Sequence, residues 1–278
     1  GVKLLDGSFS AQQFQVGANS GETVTIASIA SSRITAIGQS NTATDVGTAV
    51  TGALTANDLL INGNDVGAVA DPGAAGSLAG DIATAIAAAD SQVTVAVGAS
   101  TTGSLAGFTT VTNNNAADDG AYSLVVEGVT VISETGLGTG GGTVTAAEVD
   151  TQLGLSAVTD LLTAAGVSFT GTAAGSDLTF IKADGSNLDM TETLTDGTGT
   201  TVGGFTTTTA GATTADYGTL TLTSNTAITV AGNAPATAGL GAGTQNLALS
   251  GNTISTTDIS TVAGANAAIT AVDNALTT

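Results

Sequence analysis

One order of residue patterns occurs twice in this chain, and it limits the fold more than any other feature. The first copy starts in Asp58–Ala70, DLLINGNDVGAVA, where Leu60 leads into Asn62-Gly63-Asn64 and Val66 resumes the apolar run. Apolar residues on either side of an Asn-Gly pair predict a strand–turn–strand hairpin. Ser77 then stands where it can cap a helix carrying Leu78, Ile82, Ala85, Ile86 and Ala89 on one face. Val93, Val95 and Val97 alternate after it as a strand. The order returns at Tyr122–Ile132, YSLVVEGVTVI, with Glu127-Gly128 in the place of Asn62-Gly63. Thr145-x-x-Glu148 has the form of a capping box for a helix bearing Val149 and Leu153. Gly154 breaks that helix, and Val158, Leu161 and Leu162 continue beyond it. Val167 and Phe169 predict one strand, and Leu178, Phe180 and Lys182 another. The repeated unit is strand–turn–strand–helix–strand.

The ends read differently. Phe14 and Val16 alternate, as do Val24 and Ile26, around Gly17–Gly21, which predicts a hairpin. Residues 39–53 are small and polar and read as a connector. Residues 200–214 are Gly and Thr around Phe205 and read as a linker or an edge strand. Leu220, Leu222, Ile228, Val230, Leu247 and Leu249 supply further strands. In the last segment Ser255-x-x-Asp258 is a helix-start pattern, followed by Val262, Ala265, Ile269, Val272 and Leu276 at steps of three and four. These predict a helix about 30 Å long with a narrow apolar seam for a partner helix. The fold class expected is α+β, mostly β.

Composition narrows the chemistry. The net charge is −20, and the only bases are Lys3, Arg33 and Lys182. Such a surface repels phosphate backbones and anionic lipids, so neither nucleic acid nor membrane is an expected partner. Charged residues are 9% against about 25% in ordinary soluble domains, so solubility falls to Thr, Ser, Asn and a few carboxylates. There is no cysteine and no histidine, which removes disulfides, thiolates and the commonest general base and metal ligands. No apolar run is long enough to span a bilayer. Glu127, Glu134, Glu148 and Glu192 could in principle form a hydrolytic carboxylate pair, but no Trp is present to stack a sugar. They read as solvated acids. Asn113–Gly120 and Asp184–Asp189 lack the oxygen spacing of a calcium loop and read as turns. Gly138–Gly142 has no following Lys-Ser/Thr for a phosphate loop. No enzyme activity, cofactor, catalytic residue or metal site is expected.

The two ends carry a resemblance. Ile259, Ser260, Thr261, Gly264, Ala265, Asn266, Ala268, Ile269, Asp273, Ala275 and Leu276 resemble the start of the C-terminal helix of bacterial flagellins. Gly1–Asp6 resembles the stretch just after the N-terminal helices of the same flagellin domain, and Phe14–Ile26, with Q-V-G-A-N-x-G-E-T at its centre, resembles its hairpin. The I-N-G-x-D-V text of the first repeat is similar to a motif of flagellin outer domains, from which the second copy departs. The matched stretches make up about a quarter of the chain.

The resemblance implies an elongated, nested architecture with the C-terminal helix packed on the N-terminal hairpin. A base would comprise 1–38 and 255–278, a middle domain 39–118 and 211–254, and an outer domain 119–210. It implies a structural subunit of an extracellular filament serving motility, secreted through a narrow channel. Its partners would be copies of itself, an export chaperone and a filament cap. Polymerising helices would lie beyond both ends, leaving this stretch monomeric. Thr206–Thr209 would be candidates for O-linked sugars. A surface adhesin or glycan-binding module on the same scaffold is the alternative.

Overall fold

The computed structural model describes residues 10–16, 21, 23–28, 33, 37–73, 76–115, 119–138, 140–196, 200–205, 213–251 and 253–277. Its elements begin with β1 (Ser10–Gln15), β2 (Thr23–Ser28), β3 (Ser40–Ala49), β4 (Leu60–Ile61), β5 (Asn64–Asp65), α1 (Leu78–Ala89), β6 (Thr94–Gly98), β7 (Ser100–Thr101) and β8 (Thr109–Asn113). Then come β9 (Gly120–Val126), β10 (Val129–Leu137), α2 (Ala146–Leu153), α3 (Ser156–Ala164), β11 (Val167–Thr170), β12 (Thr179–Lys182) and β13 (Leu188–Thr195). The last are β14 (Thr201–Gly204), β15 (Thr213–Asp216), β16 (Thr219–Ser224), β17 (Ile228–Ala231), β18 (Gly243–Gln245), β19 (Ala248–Ser250) and α4 (Val262–Thr277). Helix and strand are mixed, strands predominate, and the sheets are small and antiparallel. No described helix is long and apolar enough to cross a membrane.

The chain forms two compact units. The first draws on Gly1–Ala43, Asn225–Ala227 and Asn246–Thr278, the second on Thr44–Ser224 and Ile228–Gln245. The expected middle and outer domains thus fall largely within the second unit.

In the first unit β1 and β2 pair antiparallel, with Phe14 opposite Val24 and Gln12 opposite Ile26. The predicted turn residues 17–20 and the opening Gly1–Asp6 lie outside the described residues. Ser40–Thr42 of β3 pair with β19. The helix expected from Ser255 starts later, at Val262. Ile254–Thr256 instead form one 3-10 turn. The cap is Thr261, whose Oγ1 accepts from the Gly264 N–H at 3.0 Å. Asp258 spends an oxygen on the Ser260 N–H. Its carbonyl lies so close to Gly264 that a Cβ there would collide with it.

The second unit contains the repeat, and its topology is nested. In the first copy β4 and β5 form the hairpin, α1 and β6 follow, β6 pairs with β16, and β17 returns to pair with β4. In the second copy β9 and β10 form the hairpin, α2, α3 and β11 follow, β11 pairs with β12, and β13 returns to β9. The order of elements and pairings is the same. The whole second copy lies in the connection between β6 and β16 of the first.

Local chemistry explains each element. Asn62 and Gly63 have φ of 52° and 86°, and Glu127 and Gly128 have 50° and 74°, the left-handed pair of a two-residue type I′ hairpin. Ser77 caps α1 through the Gly80 N–H. Leu78, Ile82 and Ile86 are fully buried beneath it. The Thr145–Glu148 box is closed in both directions, and Gly154 ends α2. Val158 and Leu162 of α3 turn inward while Leu161 faces water. The core of the second copy joins Tyr122, Leu124, Val126, Leu153, Leu162, Phe180 and Met190, with Phe205 and Phe108 edge to face at 4.9 Å.

One stretch differs from its sequence reading, and another takes the edge-strand form that the reading allowed. Residues 40–49, expected as a connector, form a ten-residue strand. Its small residues serve close approach: a Cβ on Gly47 would lie 2.9 Å from the carbonyl oxygens of Gly239 and Leu220. The Gly/Thr stretch 200–214 contains β14, paired with β8, and the first residues of β15, an edge strand on β13.

Candidate functional site

A polar cluster joins the two copies inside the second unit. Asn187 is at its centre and is fully buried. Its N–H donates to the Gly76 carbonyl at 2.8 Å. Its Oδ1 accepts from the Leu78 N–H at 2.8 Å, satisfying one of the orphan donors at the start of α1. Its Nδ2 donates to the Gly73 carbonyl at 2.8 Å and to Asp71 Oδ1 at 3.1 Å. The neighbouring carbonyls of Gly185 and Ser186 accept from the hydroxyls of Ser77 and Ser100. The β12–β13 loop of the inserted copy is thus fastened to the α1 N-terminus of the host copy.

Beneath that loop lies the second unit's sole base. Lys182 Nζ donates to Glu127 Oε2 and to the Asn187 carbonyl, both at 2.9 Å. Glu127 Oε1 accepts from the Asp189 N–H at 2.6 Å. Tyr217 O–H donates to Asp71 Oδ2 at 2.6 Å. Asp189 Oδ1 is buried without a hydrogen-bond partner.

Crowded carboxylates shift their proton affinities here. Burial, then the charges of Glu127 and Asp71, push Asp189 up, and Lys182 opposes them. Burial and the Asp189 charge push Asp216 up to about 6. The Tyr217 hydroxyl bond holds Asp71 below the usual carboxylate range, assisted by the Gly73 N–H. The same bond is the main cause that pushes Tyr217 up to about 12. The described residues hold no group of three or more Asp or Glu disposed to take a metal ion.

The four acids weighed as a hydrolytic pair have separate placements. Glu127 clamps a turn, Glu148 closes a capping box, and Glu134 is exposed. Glu192 is buried, accepting from the Tyr122 hydroxyl at 2.8 Å and the Phe205 N–H at 2.9 Å. Burial and the Glu192 carboxylate raise the Tyr122 hydroxyl well above its ordinary range. In the turn candidates, Asp184 Oδ1 accepts from the Ser186 N–H and hydroxyl, and Asn113 Oδ1 from the Asn115 N–H. These are ordinary Asx turns. Thr206–Thr209 lie outside the described residues.

The seam residues lie on α4, and four of the five are exposed: Val262 by 81%, Ile269 by 61%, Val272 by 52% and Leu276 by 80%. Ala265 is half-buried. The covered side is the one carrying Ala271 and Asn274, whose amide donates to the Gly38 carbonyl at 3.2 Å. Of the hairpin residues, Val16 and Val24 are exposed. The side chains of Phe14 and Ile26 lie outside the described residues.

The Asn187 clamp had no motif to announce it. Lys182 did carry a signal. It alternates with Leu178 and Phe180, so its side chain belongs to the inward face, and an inward lysine needs a carboxylate. No protein-family model matches the chain, and no curated protein shows significant similarity to it.

Proposed function

We propose that the chain is the exposed part of a bacterial flagellin, a structural subunit of an extracellular filament. The observation that carries this is the return of the chain: its first and last segments contribute to one unit, while nearly all the residues between them form the other. That arrangement suits a subunit whose two ends stay in a filament wall and whose middle projects into solvent. The resemblance of both ends to flagellin supports the same view. So does the uncovered α4 stripe, which suits a helix from a longer subunit or a neighbouring copy. The acidic surface would keep adjacent filaments apart. The function is geometric and needs no cofactor.

Antibodies raised against this chain and applied to cells of the source organism provide the test. Immunoelectron microscopy should show labelling along the length of filaments. Labelling of the cell surface without filaments would overturn the proposal and favour the adhesin.

A further inference from the structure

We propose a second role for the inserted copy: the open edge of β11 takes up an extended, basic peptide segment of a partner protein as an added strand. Phe169 pairs in register with Phe180 of β12. The backbone of Phe180, however, is engaged on its other side. Its carbonyl accepts from the Thr102 N–H, and its N–H donates to Thr102 Oγ1, both at 3.1 Å. The N–H and C=O of Phe169 therefore point away from β12, along the outer edge of a sheet ordered β11–β12–β7. Unpaired edge groups are a template for another strand.

A cleft of about 440 Å³ opens between α3 and β11, with Gly166 and Ala183 also in its wall. Leu162, Val167 and Phe169 give it apolar walls, and Thr159, Thr163 and Ser168 also line it. The Thr159 and Thr163 hydroxyls donate to carbonyls of Leu155 and Thr159 in the same helical segment. Neither hydroxyl proton is left for a ligand. The free edge of β11 and the cleft against α3 together offer a main-chain template and an apolar slot for one side chain, the two components of strand-addition sites.

Charge selects the occupant. Asp160 and Asp184 adjoin the lining residues in sequence and are exposed. The only base of the second unit, Lys182, is already held by Glu127. A second copy of this chain would bring its own large negative charge, whereas a segment with Lys or Arg flanking an apolar residue matches the site.

The full 278-residue chain should be titrated with a fluorescent peptide Lys-Ser-Val-Thr-Val-Ser-Lys, with its Glu-flanked counterpart, and with a version carrying Pro at the centre. The basic peptide should bind at least about tenfold more tightly than the other two. At saturation it should slow hydrogen exchange of the Phe169 amide at least about tenfold. Thr163→Trp, at an exposed position, should fill the cleft and abolish binding with the circular dichroism spectrum unchanged. Unaltered exchange at Phe169, equal binding of the Glu-flanked peptide, or binding that survives Thr163→Trp would each overturn the proposal. Self-association through the β11 edge, seen in sedimentation, would overturn it in favour of a second copy.

Discussion

Glu127 and Asp189 hold each other by two hydrogen bonds: the Glu127 N–H donates to the Asp189 carbonyl at 2.8 Å, and Glu127 Oε1 accepts from the Asp189 N–H at 2.6 Å. Asn62 and Thr229 do the same in the host copy. The Asn62 N–H donates to the Thr229 carbonyl at 2.8 Å, and Asn62 Oδ1 accepts from the Thr229 N–H at 2.7 Å. In each case the clamp joins the first left-handed residue of a hairpin turn to the strand that returns from beyond the helix. The two copies therefore match at the level of single hydrogen bonds, although Asn and Glu differ in charge and length. The longer Glu127 side chain also reaches Lys182.

The Glu127–Lys182 pair should show strong coupling. Glu127→Gln leaves Lys182 buried without its counter-charge, and Lys182→Met leaves the carboxylate so. Each should cost about 2–4 kcal/mol in urea unfolding, and the double variant should cost at least about 1 kcal/mol less than their sum. Additive effects would show that the pair contributes nothing as a pair.

The helix caps are separable. Thr145→Ala opens the capping box and should cost about 1 kcal/mol. Thr261→Ala should fray the start of α4 and speed amide exchange at Gly264. Ser255→Ala should leave that amide unchanged, since the 3-10 turn of Ser255 ends before the helix begins.

Acidification should stabilise the second unit through Asp216. Its carboxyl keeps its proton up to about pH 6 in the fold, but only to about 3.9 in an unfolded chain. The fold therefore binds the extra proton between these values. This contribution is fully present below the unfolded pKa and is lost as pH rises through about 6. Discounted for partial exposure, it amounts to about 1–2 kcal/mol. Tm should rise as pH falls from 7 to 5, and Asp216→Asn should flatten that slope.

Two glycines should respond unequally to Ala. Gly128 has φ +74° and open space around it, so Gly128→Ala should cost only the left-handed penalty of about 1–2 kcal/mol. Gly204 has φ +89°, and a Cβ there would collide with the Glu192 carboxylate. Gly204→Ala should cost at least about 1 kcal/mol more, by displacing the buried Tyr122–Glu192 bond. Thermal melts compare the two directly.

Much of the local structure was legible in the residues themselves. Asn62-Gly63 and Glu127-Gly128 mark turns because φ must be positive at two consecutive positions. Ser77 and Thr145 mark helix starts because a side-chain oxygen must meet an N–H three residues on. Leu78, Ile82 and Ile86, or Val149 and Leu153, reveal the buried face by their spacing. In the Ser255–Gly264 stretch several side chains could make that capping bond, and only packing selected Thr261. The polar cluster was legible only at Lys182, through its inward place in an alternating strand.

By itself, then, the sequence determined which short segments turn, coil or extend, and that one order of segments occurs twice. Tertiary structure decided that β17 returns to β4 and β16 to β6 across the entire inserted copy, that Ser40–Ala49 is a strand, and that Asn187 fastens the copies together. The reason is physical. Caps, turns and periodicity act between residues a few positions apart, so their chemistry is written in adjacent letters. Backbone edges pair with any strand that can reach them, and which one arrives depends on how the intervening chain closes its loop.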